Sequence, residues 1–294
     1  MFVLDRDKLA AAQTAFSTAF EGALARYTGN EEFGVVAQEL RGSDPATELF
    51  FSTRLGSGMK LDTGDYSVDS LRIQSIKIAA SRYYDAFQMS RDDLEYDKLN
   101  LYRPHIEQLA SSYARHRAQL SINKLESGWT ENGYDGVTFF NSAHPIASGG
   151  TQSNVVNTSG AGLTTDTLAE ALVRLSRMKD ESGNIIGLRG TALLVPPELE
   201  HKARQILTAE QISGTDNVMR GRLRLVVSPF LTDPNRAYVI DTSTAFRPII
   251  FYEFGQPTLE PDTSRSVLHR VVLWVLSAQY STTFGFYHFV VGIN

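Results

Sequence analysis

The residues with the most obvious chemical potential are a run of carboxylates. Asp92, Asp93, Glu95 and Asp97 lie close together in the chain, and two such groups could in principle act as a general acid and base. They follow Ser90 where a helical pattern begins. A serine there caps the helix, and the helix dipole stabilises negative charge in the first turn. We therefore interpret the run as a helix start and not as a catalytic pair.

The six histidines do not have the spacing of a metal site. None stands in an H-E-x-x-H arrangement, and no pair shares a helix face with a carboxylate. His105 and His116 fall on one predicted helix, but eleven positions apart, which is too far for one ion. We predict no metal and no cofactor.

Two further patterns suggest chemistry only superficially. Gly56-Ser57-Gly58 lacks the third glycine of G-x-G-x-x-G, the G-K-[ST] of a phosphate loop and the spacing of G-x-S-x-G. We interpret it as the tip of a hairpin. A hydrolase site assembled from the scattered residues His144, Asp135 and Glu198 remains as an alternative. The sequence thus predicts no enzyme activity.

Composition excludes several classes of protein. The 294 residues include 28 Lys+Arg and 33 Asp+Glu, which gives a net charge of −5 and argues against a broad basic face for nucleic acid. There is no cysteine, so disulfides, thiolate metal sites and cysteine nucleophiles are impossible. No apolar run approaches the ~20 residues of a membrane span, and no secretory signal is visible. We expect a cytosolic product.

The elements at the N-terminal end look built to lie on another surface. Leu9, Phe16, Phe20 and Leu24 recur at spacings of four and seven residues and predict an amphipathic helix. Its partner is either its own core or a neighbouring subunit. We name Phe16 and Phe20 as candidate contacts between subunits.

A long hairpin follows. Residues 48–55 are strand-like, a turn-rich stretch comes next, and an extended run continues from Leu71 to Met89. A two-stranded hairpin is marginally stable alone in water, so we expect it to lie on a neighbour. Its basic residues Arg54, Lys60 and Lys77 are candidate contacts between subunits, and a solvated charged surface is the alternative.

The remainder of the chain alternates between helices and strands. The longest helix is predicted from Leu101 to Ser127, with Pro104 in its first turn and Gly128 after its end. Its predicted solvent side carries Glu107, Arg115, Arg117 and Lys124. A polar linker over residues 148–165 precedes further helices and strands, and the tail is rich in β-branched and aromatic residues. The predicted class is α+β.

Several short pieces give this order of elements a family likeness. In chain order they are Ser90-Arg91-Asp92-Asp93-Leu94-Glu95, Tyr102-Arg103-Pro104, Asp135-Gly136, Phe139-Phe140, His144-Pro145, Leu193-Leu194-Val195-Pro196-Pro197-Glu198-Leu199-Glu200 and Ala203. Their order and spacing over about residues 83–210 resemble the Mu-like major head subunit family of tailed-phage capsid proteins. The hairpin departs from that family, which usually carries tryptophan where this chain has Phe50-Phe51-Ser52-Thr53 and Leu61-Asp62-Thr63. The family's hairpin contacts therefore do not carry over.

The resemblance implies an HK97-like capsid fold. It would comprise an N-terminal arm (1–45), an extended β-hairpin loop (46–89), a peripheral domain with a long spine helix and a β-sheet (90–179 and 251–294), and an inserted axial α/β domain (180–250).

The resemblance also implies a structural role without enzyme activity. The chain would be a major capsid protein that self-assembles, as pentamers and hexamers, into an icosahedral shell enclosing the double-stranded DNA of a tailed phage or prophage. Implied partners are copies of itself, a separate scaffold protein, a portal, a maturation protease, and DNA bound without sequence specificity, with no membrane. The implied location is the virion, after assembly in the bacterial host cytoplasm. An encapsulin-type compartment has the same architecture and is the alternative, although residues 135–145 and 193–200 fit the phage family better.

Overall fold

The computed structural model describes residues 6–27, 31–52, 55, 73–158, 162–212, 215–264 and 269–294. The helices are α1 (Arg6–Tyr27), α2 (Glu31–Val36), α3 (Arg91–Glu95), α4 (Arg103–Ser127), α5 (Thr165–Ser176) and α6 (Pro197–Thr208), with short 3-10 helices at Leu99–Tyr102 and Tyr287–Phe289. The strands are β1 (Ala37–Gly42), β2 (Ala46–Ser52), β3 (Ile73–Ala79), β4 (Ser81–Ser90), β5 (His144–Pro145), β6 (Thr151–Gln152), β7 (Val155–Val156), β8 (Ala192–Val195), β9 (Gln211–Ile212), β10 (Thr215–Asp216), β11 (Arg224–Val227), β12 (Ala237–Ile240), β13 (Ile249–Asp262), β14 (Val271–Phe284) and β15 (Val290–Ile293).

A four-stranded sheet in the order β1-β13-β14-β4 forms the first half of the fold. Its two central strands are each 14 residues long and run antiparallel. β1 pairs parallel with β13, and β4 pairs antiparallel with β14. Every second side chain from Val272 to Tyr280 is buried. Because side chains alternate between the faces of a strand, one face of this sheet is a core face.

Two helices cover that face. The long helix α4 turns an apolar stripe towards the sheet, and α1 lies beside α4. The buried residues of α1 are Ala12, Phe16, Phe20 and Ala23. Their spacing of three and four residues is the periodicity of an amphipathic helix packed along one side. The amphipathic N-terminal helix predicted from the sequence is confirmed, and its partner is its own core.

A five-stranded sheet in the order β11-β8-β12-β15-β7 forms the second half. All four residues of β8 are buried, which shows that both faces of the sheet are covered. Leu194 belongs to the first core, whereas Leu193 and Val195 belong to a second core that also includes buried residues of α5 and α6. The sheet is therefore a wall shared by two hydrophobic cores.

The predicted hairpin is present but shorter. β2 and β3 pair antiparallel, from Ala46 opposite Ala79 to Ser52 opposite Ile73. The extended run does not continue along the hairpin to Met89. Strand β3 ends at Ala79, and after Ala80 the next strand, β4, joins the four-stranded sheet. Met89 is fully buried there, and burial of such an apolar side chain favours the sheet over a projecting hairpin. The hairpin tip lies outside the described residues.

The α/β unit around the second core extends beyond residues 180–250. It also includes α5, which precedes that range, and the short strands β7 and β15. β13 and β14 do return to the sheet that α4 covers, whereas β15 does not. Among the described helices, none combines the length and the apolar composition that crossing a bilayer requires.

Candidate assembly interface

The β2–β3 hairpin lies outside the two large sheets of the fold. Its two strands form a separate two-stranded sheet. Glu48 stands opposite Lys77, and both side chains are exposed. Ile78 is buried, and Leu55 packs against the second core. The predicted contact residue Lys77 is thus available on the surface, while Arg54 and Lys60 lie outside the described residues.

The predicted contact residues Phe16 and Phe20 are not on a surface. Each side chain is 2% exposed. The ring of Phe16 packs edge-on against that of Trp274, with 4.6 Å between centroids. The structure therefore corrects their assignment: they pack within their own subunit, because the core face of the four-stranded sheet offers α1 an apolar surface.

A charged network fixes the segment after α1. Arg117 of α4 is 4% exposed and pairs with Glu39 of β1. Arg41 bridges Glu39 at 2.7 Å and Glu253 of β13 at 3.2 Å. The hydroxyl of Tyr113 donates to Glu253. The network joins α4, β1 and β13, so it holds the N-terminal segment against the long helix.

Aromatic rings complete the surroundings of Arg117. Its guanidinium lies 4.4 Å from the ring centroid of Phe33 and 4.7 Å from that of Phe251. Planar guanidinium groups stack favourably on aromatic faces. The sequence analysis placed Arg117 on the solvent side of the helix, and the structure corrects this to a buried position. Its spacing of four residues from Tyr113 on the apolar stripe is the signal that could have revealed it.

The half-buried Glu39 and the buried Glu253 respond differently to this network. Burial alone would raise the pKa of Glu39, but the charges and hydrogen bonds of Arg117 and Arg41 lower that pKa overall. Burial dominates at Glu253 and raises its pKa, despite the hydrogen bond from Tyr113. The network is therefore anchored by the Arg117–Glu39 pair.

The C-terminal end of α4 is fastened to the five-stranded sheet. The carboxylate of Glu126 accepts three hydrogen bonds from the loop before β12: from the amide of Thr232 at 2.9 Å, its hydroxyl at 2.8 Å and the amide of Asp233 at 3.1 Å. The indole of Trp129 donates to the hydroxyl of Tyr238 at 3.1 Å. Because Glu126 binds the loop before β12 and Trp129, just after α4, binds Tyr238 of β12, the helix and the sheet form one unit.

The scattered hydrolase set does not form an open active site. His144 Nδ1 lies 2.6 Å from Asp135 Oδ2, and Nε2 lies 3.0 Å from Asn154 Oδ1. The imidazole is fully buried and stacks on Tyr287 with 3.7 Å between centroids. Glu198 stands instead on the exposed first turn of α6. A substrate has no access to the His144–Asp135 pair, which orients the surrounding loops.

The acidic run forms the start of helix α3, as the sequence predicts. Ser90 caps α3 by accepting from the amide of Asp92. Asp92 pairs with Arg270 at 2.8 Å, and Asp93 accepts from the hydroxyl of Tyr102 at 2.7 Å. These bonds tie α3 to its neighbours, and the long helix α4 starts only afterwards.

The profile of the family described as Mu-like prophage major head subunit gpT matches residues 9–163 and 152–231. The chain belongs to this family. The resemblance seen in the sequence is therefore confirmed, and so is the absence of an enzymatic role, because family members are structural head proteins.

Two curated relatives agree with this membership. The chain is 22% identical over 246 aligned residues to the major capsid protein of Escherichia phage Mu, covering 57% of this chain and 81% of the relative. It is 27% identical over 97 residues to the Mu-like prophage FluMu major head subunit of Haemophilus influenzae, covering 32% of each.

Solved structures show the fold. The procapsid of bacteriophage JBD30 matches with a TM-score of 0.62 at 16% identity, covering 98% of this chain and 75% of that one. The capsid of a native GTA particle matches with a TM-score of 0.56 at 13% identity, covering 89% of both. The chain thus has an HK97-like fold. Its family membership makes it a major capsid protein of a phage or prophage virion. The encapsulin alternative is not favoured.

Proposed function

We propose that copies of this chain assemble, as pentamers and hexamers, into a closed icosahedral shell around double-stranded DNA of a tailed phage or prophage. Membership of the major head subunit family carries the proposal. Many weak contacts that close on themselves give a shell high avidity. With no cysteine in the chain, disulfides do not contribute to those contacts.

In this proposal each part of the fold corresponds to one region of a capsid subunit. Residues 1–45 form the N-terminal arm, whose strand β1 joins the four-stranded sheet, and α4 with the other three strands of that sheet forms the peripheral domain. The five-stranded sheet with α5 and α6 forms the axial domain, near the five-fold and six-fold axes. The bonds of Glu126 and Trp129 between α4 and the second sheet support movement of the two domains as one unit.

The β2–β3 hairpin is proposed to contact a neighbouring subunit. Its separate two-stranded sheet supports this role, because such a hairpin gains stability only against another surface. Arg54, Lys60 and Lys77 are the proposed contact residues. Lys77 is exposed beside Glu48, and an acidic partner on the neighbouring subunit would complement it.

The proposed partners follow from packaging a genome. A separate scaffold protein would guide assembly, a portal would admit DNA, and a protease would act during maturation. The net charge of −5 disfavours tight binding to phosphates. We therefore propose that DNA is enclosed without sequence-specific contacts, which suits a container that must release it.

Deletion of the hairpin tip tests the proposal. Removing residues 56–65, which leaves Leu55 in place against the second core, should leave the subunit folded, with unchanged circular dichroism and urea midpoint, but should abolish fast-sedimenting shells when a scaffold candidate is co-expressed. Shells that form normally would show that the hairpin has no assembly role.

Two point variants separate Lys77 from its own hairpin. Lys77→Ala and Glu48→Ala both remove the cross-strand pair, but only Lys77→Ala removes the proposed contact with a neighbour. We expect Lys77→Ala to reduce shell yield more than Glu48→Ala does. Equal shell yields for the two variants would show that Lys77 makes no contact with a neighbouring subunit.

The contents of the particles test the DNA proposal. Nuclease-protected double-stranded DNA in particles from phage-producing cells is the expected result. A protein cargo in place of DNA would instead support an encapsulin-type compartment.

A further inference from the structure

The four-stranded sheet holds both ends of the β2–β3 hairpin. Residues 43–45 connect β1 to β2, and Ala80 connects β3 to β4. β1 and β4 are the opposite edges of the sheet, with β13 and β14 between them. The direction of the hairpin is therefore set where these two short connections meet the sheet.

Tyr252 of β13 lies against the first of these connections. Its hydroxyl donates to the backbone carbonyl of Asp44 at 2.7 Å, and the residue is 3% exposed. Its neighbours Phe251 and Glu253 face α4, where they meet Arg117 and Tyr113. Because side chains alternate along a strand, Tyr252 is on the opposite face of the sheet. The connection is thus fastened to the face that α4 does not cover.

Gly42 at the end of β1 makes room for the tyrosine ring. A Cβ atom at Gly42 would lie 2.7 Å from Cζ and 2.8 Å from Cε2 of Tyr252, whereas non-bonded carbon atoms sit at about 3.5–4.0 Å. Gly42 is held in the sheet opposite Phe254. Gly42→Ala would therefore push the buried ring out of its position and break its hydrogen bond to Asp44.

The connection is stiff enough to pass this attachment on to the hairpin. Pro45 has a fixed φ, and Asp44 before it is restricted to extended backbone. The carbonyl of Pro45 accepts from the amide of Ala80 at 2.7 Å, which ties the two connections together. Ala46 and Ala79 follow directly as the first pair of the hairpin. Holding Asp44 therefore holds the base of the hairpin as a whole.

We propose that Tyr252 and Gly42 are positioning residues that fix the direction in which the hairpin leaves its subunit. Together with Asp44 they form what we call the hairpin latch. A hairpin held in one direction presents its contact residues to a neighbouring copy without first having to be ordered, and this raises the apparent affinity. The inference rests on the proposed contact between the hairpin and a neighbouring subunit, and it adds the residues that aim the hairpin.

Spin labels report the direction of the hairpin in the unassembled subunit. Because the chain has no cysteine, Ser75→Cys in β3 and Arg115→Cys in α4 provide two defined attachment sites, and both side chains are exposed. The distance between the labels is measured by pulsed electron paramagnetic resonance. We expect one narrow distance distribution in the labelled parent. Tyr252→Phe, which removes only the hydroxyl, and Gly42→Ala should each displace or broaden it.

Matched variants control for the substitutions themselves. Tyr84→Phe removes the hydroxyl of a tyrosine that is 79% exposed, and Gly22→Ala adds a methyl group to α1 where no atom lies within 4 Å. Both should keep the distribution of the parent. An unchanged distribution for either latch variant would overturn the proposal. If Gly42→Ala does not fold, Tyr252→Phe decides the result.

Assembly separates the latch from the proposed function. Losing one hydrogen bond should lower the equilibrium constant for the latched direction roughly twofold to tenfold, and Tyr252→Phe should raise the critical subunit concentration for assembly by a similar factor. If the wild type forms shells and Tyr252→Phe assembles equally well despite an altered label distance, the latch has no role in assembly while self-assembly stands. If the wild type forms no shells, self-assembly itself fails, and the label distances still decide whether the latch aims the hairpin.

Discussion

Phe16→Ala distinguishes an own-core role for α1 from a role between subunits. The Phe16 side chain is 2% exposed and lies 4.6 Å from Trp274 and 6.2 Å from Phe87, measured between ring centroids. Truncating a buried phenylalanine removes its transfer free energy and leaves a cavity, at a cost of about 3–5 kcal/mol. That is a large part of the ~5–15 kcal/mol by which a native protein is stable.

The assay is urea unfolding of the unassembled subunit, followed by tryptophan fluorescence. Trp274 is fully buried beneath Phe16, so its emission reports directly on this site. The control is Tyr96→Ala, because the Tyr96 side chain is 74% exposed and its removal should change the unfolding free energy by less than about 0.5 kcal/mol.

We expect Phe16→Ala to lower the unfolding free energy of the isolated subunit by about 3–5 kcal/mol. An unfolding free energy equal to that of the wild type, combined with loss of assembly, would refute this reasoning. That result would instead support the expectation from helical spacing that Phe16 contacts a neighbouring subunit.

Three further changes probe buried polar groups. Burial, and to a smaller extent the nearby His144, lowers the pKa of His288 from 6.5 to about 3. Between these two pH values the folded chain binds fewer protons than the unfolded chain. The free energy of unfolding therefore decreases as the pH falls from 6.5 towards 3, by about 2 kcal/mol at pH 5. His288→Phe should remove that loss when urea unfolding at pH 7.5 and pH 5 is compared, and an unchanged pH dependence would count against it. Arg117→Met should cost about 1–3 kcal/mol, because it removes the buried guanidinium that pairs with the half-buried carboxylate of Glu39. Arg41→Met, at a side chain 56% exposed, should cost less than half as much, and similar values from urea unfolding would contradict the network. Glu126→Ala should cost about 1–3 kcal/mol and accelerate hydrogen exchange of the amide of Thr232. Unchanged exchange would contradict the link between α4 and the loop before β12.

Local periodicity made much of the fold predictable. The spacing of Phe16 and Phe20 predicts α1, and proline and glycine at its ends help to delimit α4. The hairpin pairing is also visible in the sequence. These features depend on residues close together in the chain, which is where sequence patterns carry the most information.

Features that depend on distant residues were not predictable. Arg117 is buried because Glu39 and Phe251 meet it from positions far away in the chain, and a single arginine on a helix is ordinarily solvent-facing. The division at Ala80 has a similar cause, since β4 pairs with β14 almost 200 residues later. The hairpin latch likewise brings Tyr252 to Gly42 only in three dimensions.

The candidate contact residues also combine a predictable feature with an unpredictable one. Helical spacing identified Phe16 and Phe20 as a buried face but could not say whether their own core or a neighbour covers it. The function was predictable from the resemblance to a family, because that resemblance rests on the order of short sequence motifs along the chain and not on any single contact. The location of individual contacts needs the fold.

Electron cryomicroscopy of particles purified after co-expression with a scaffold candidate tests the central claim most directly. We predict closed icosahedral shells in which each subunit has α4 packed on the four-stranded sheet and the hairpin touching a neighbouring copy. A monodisperse monomer under the same conditions, with no shells, would contradict the assignment of this chain as a self-assembling capsid subunit.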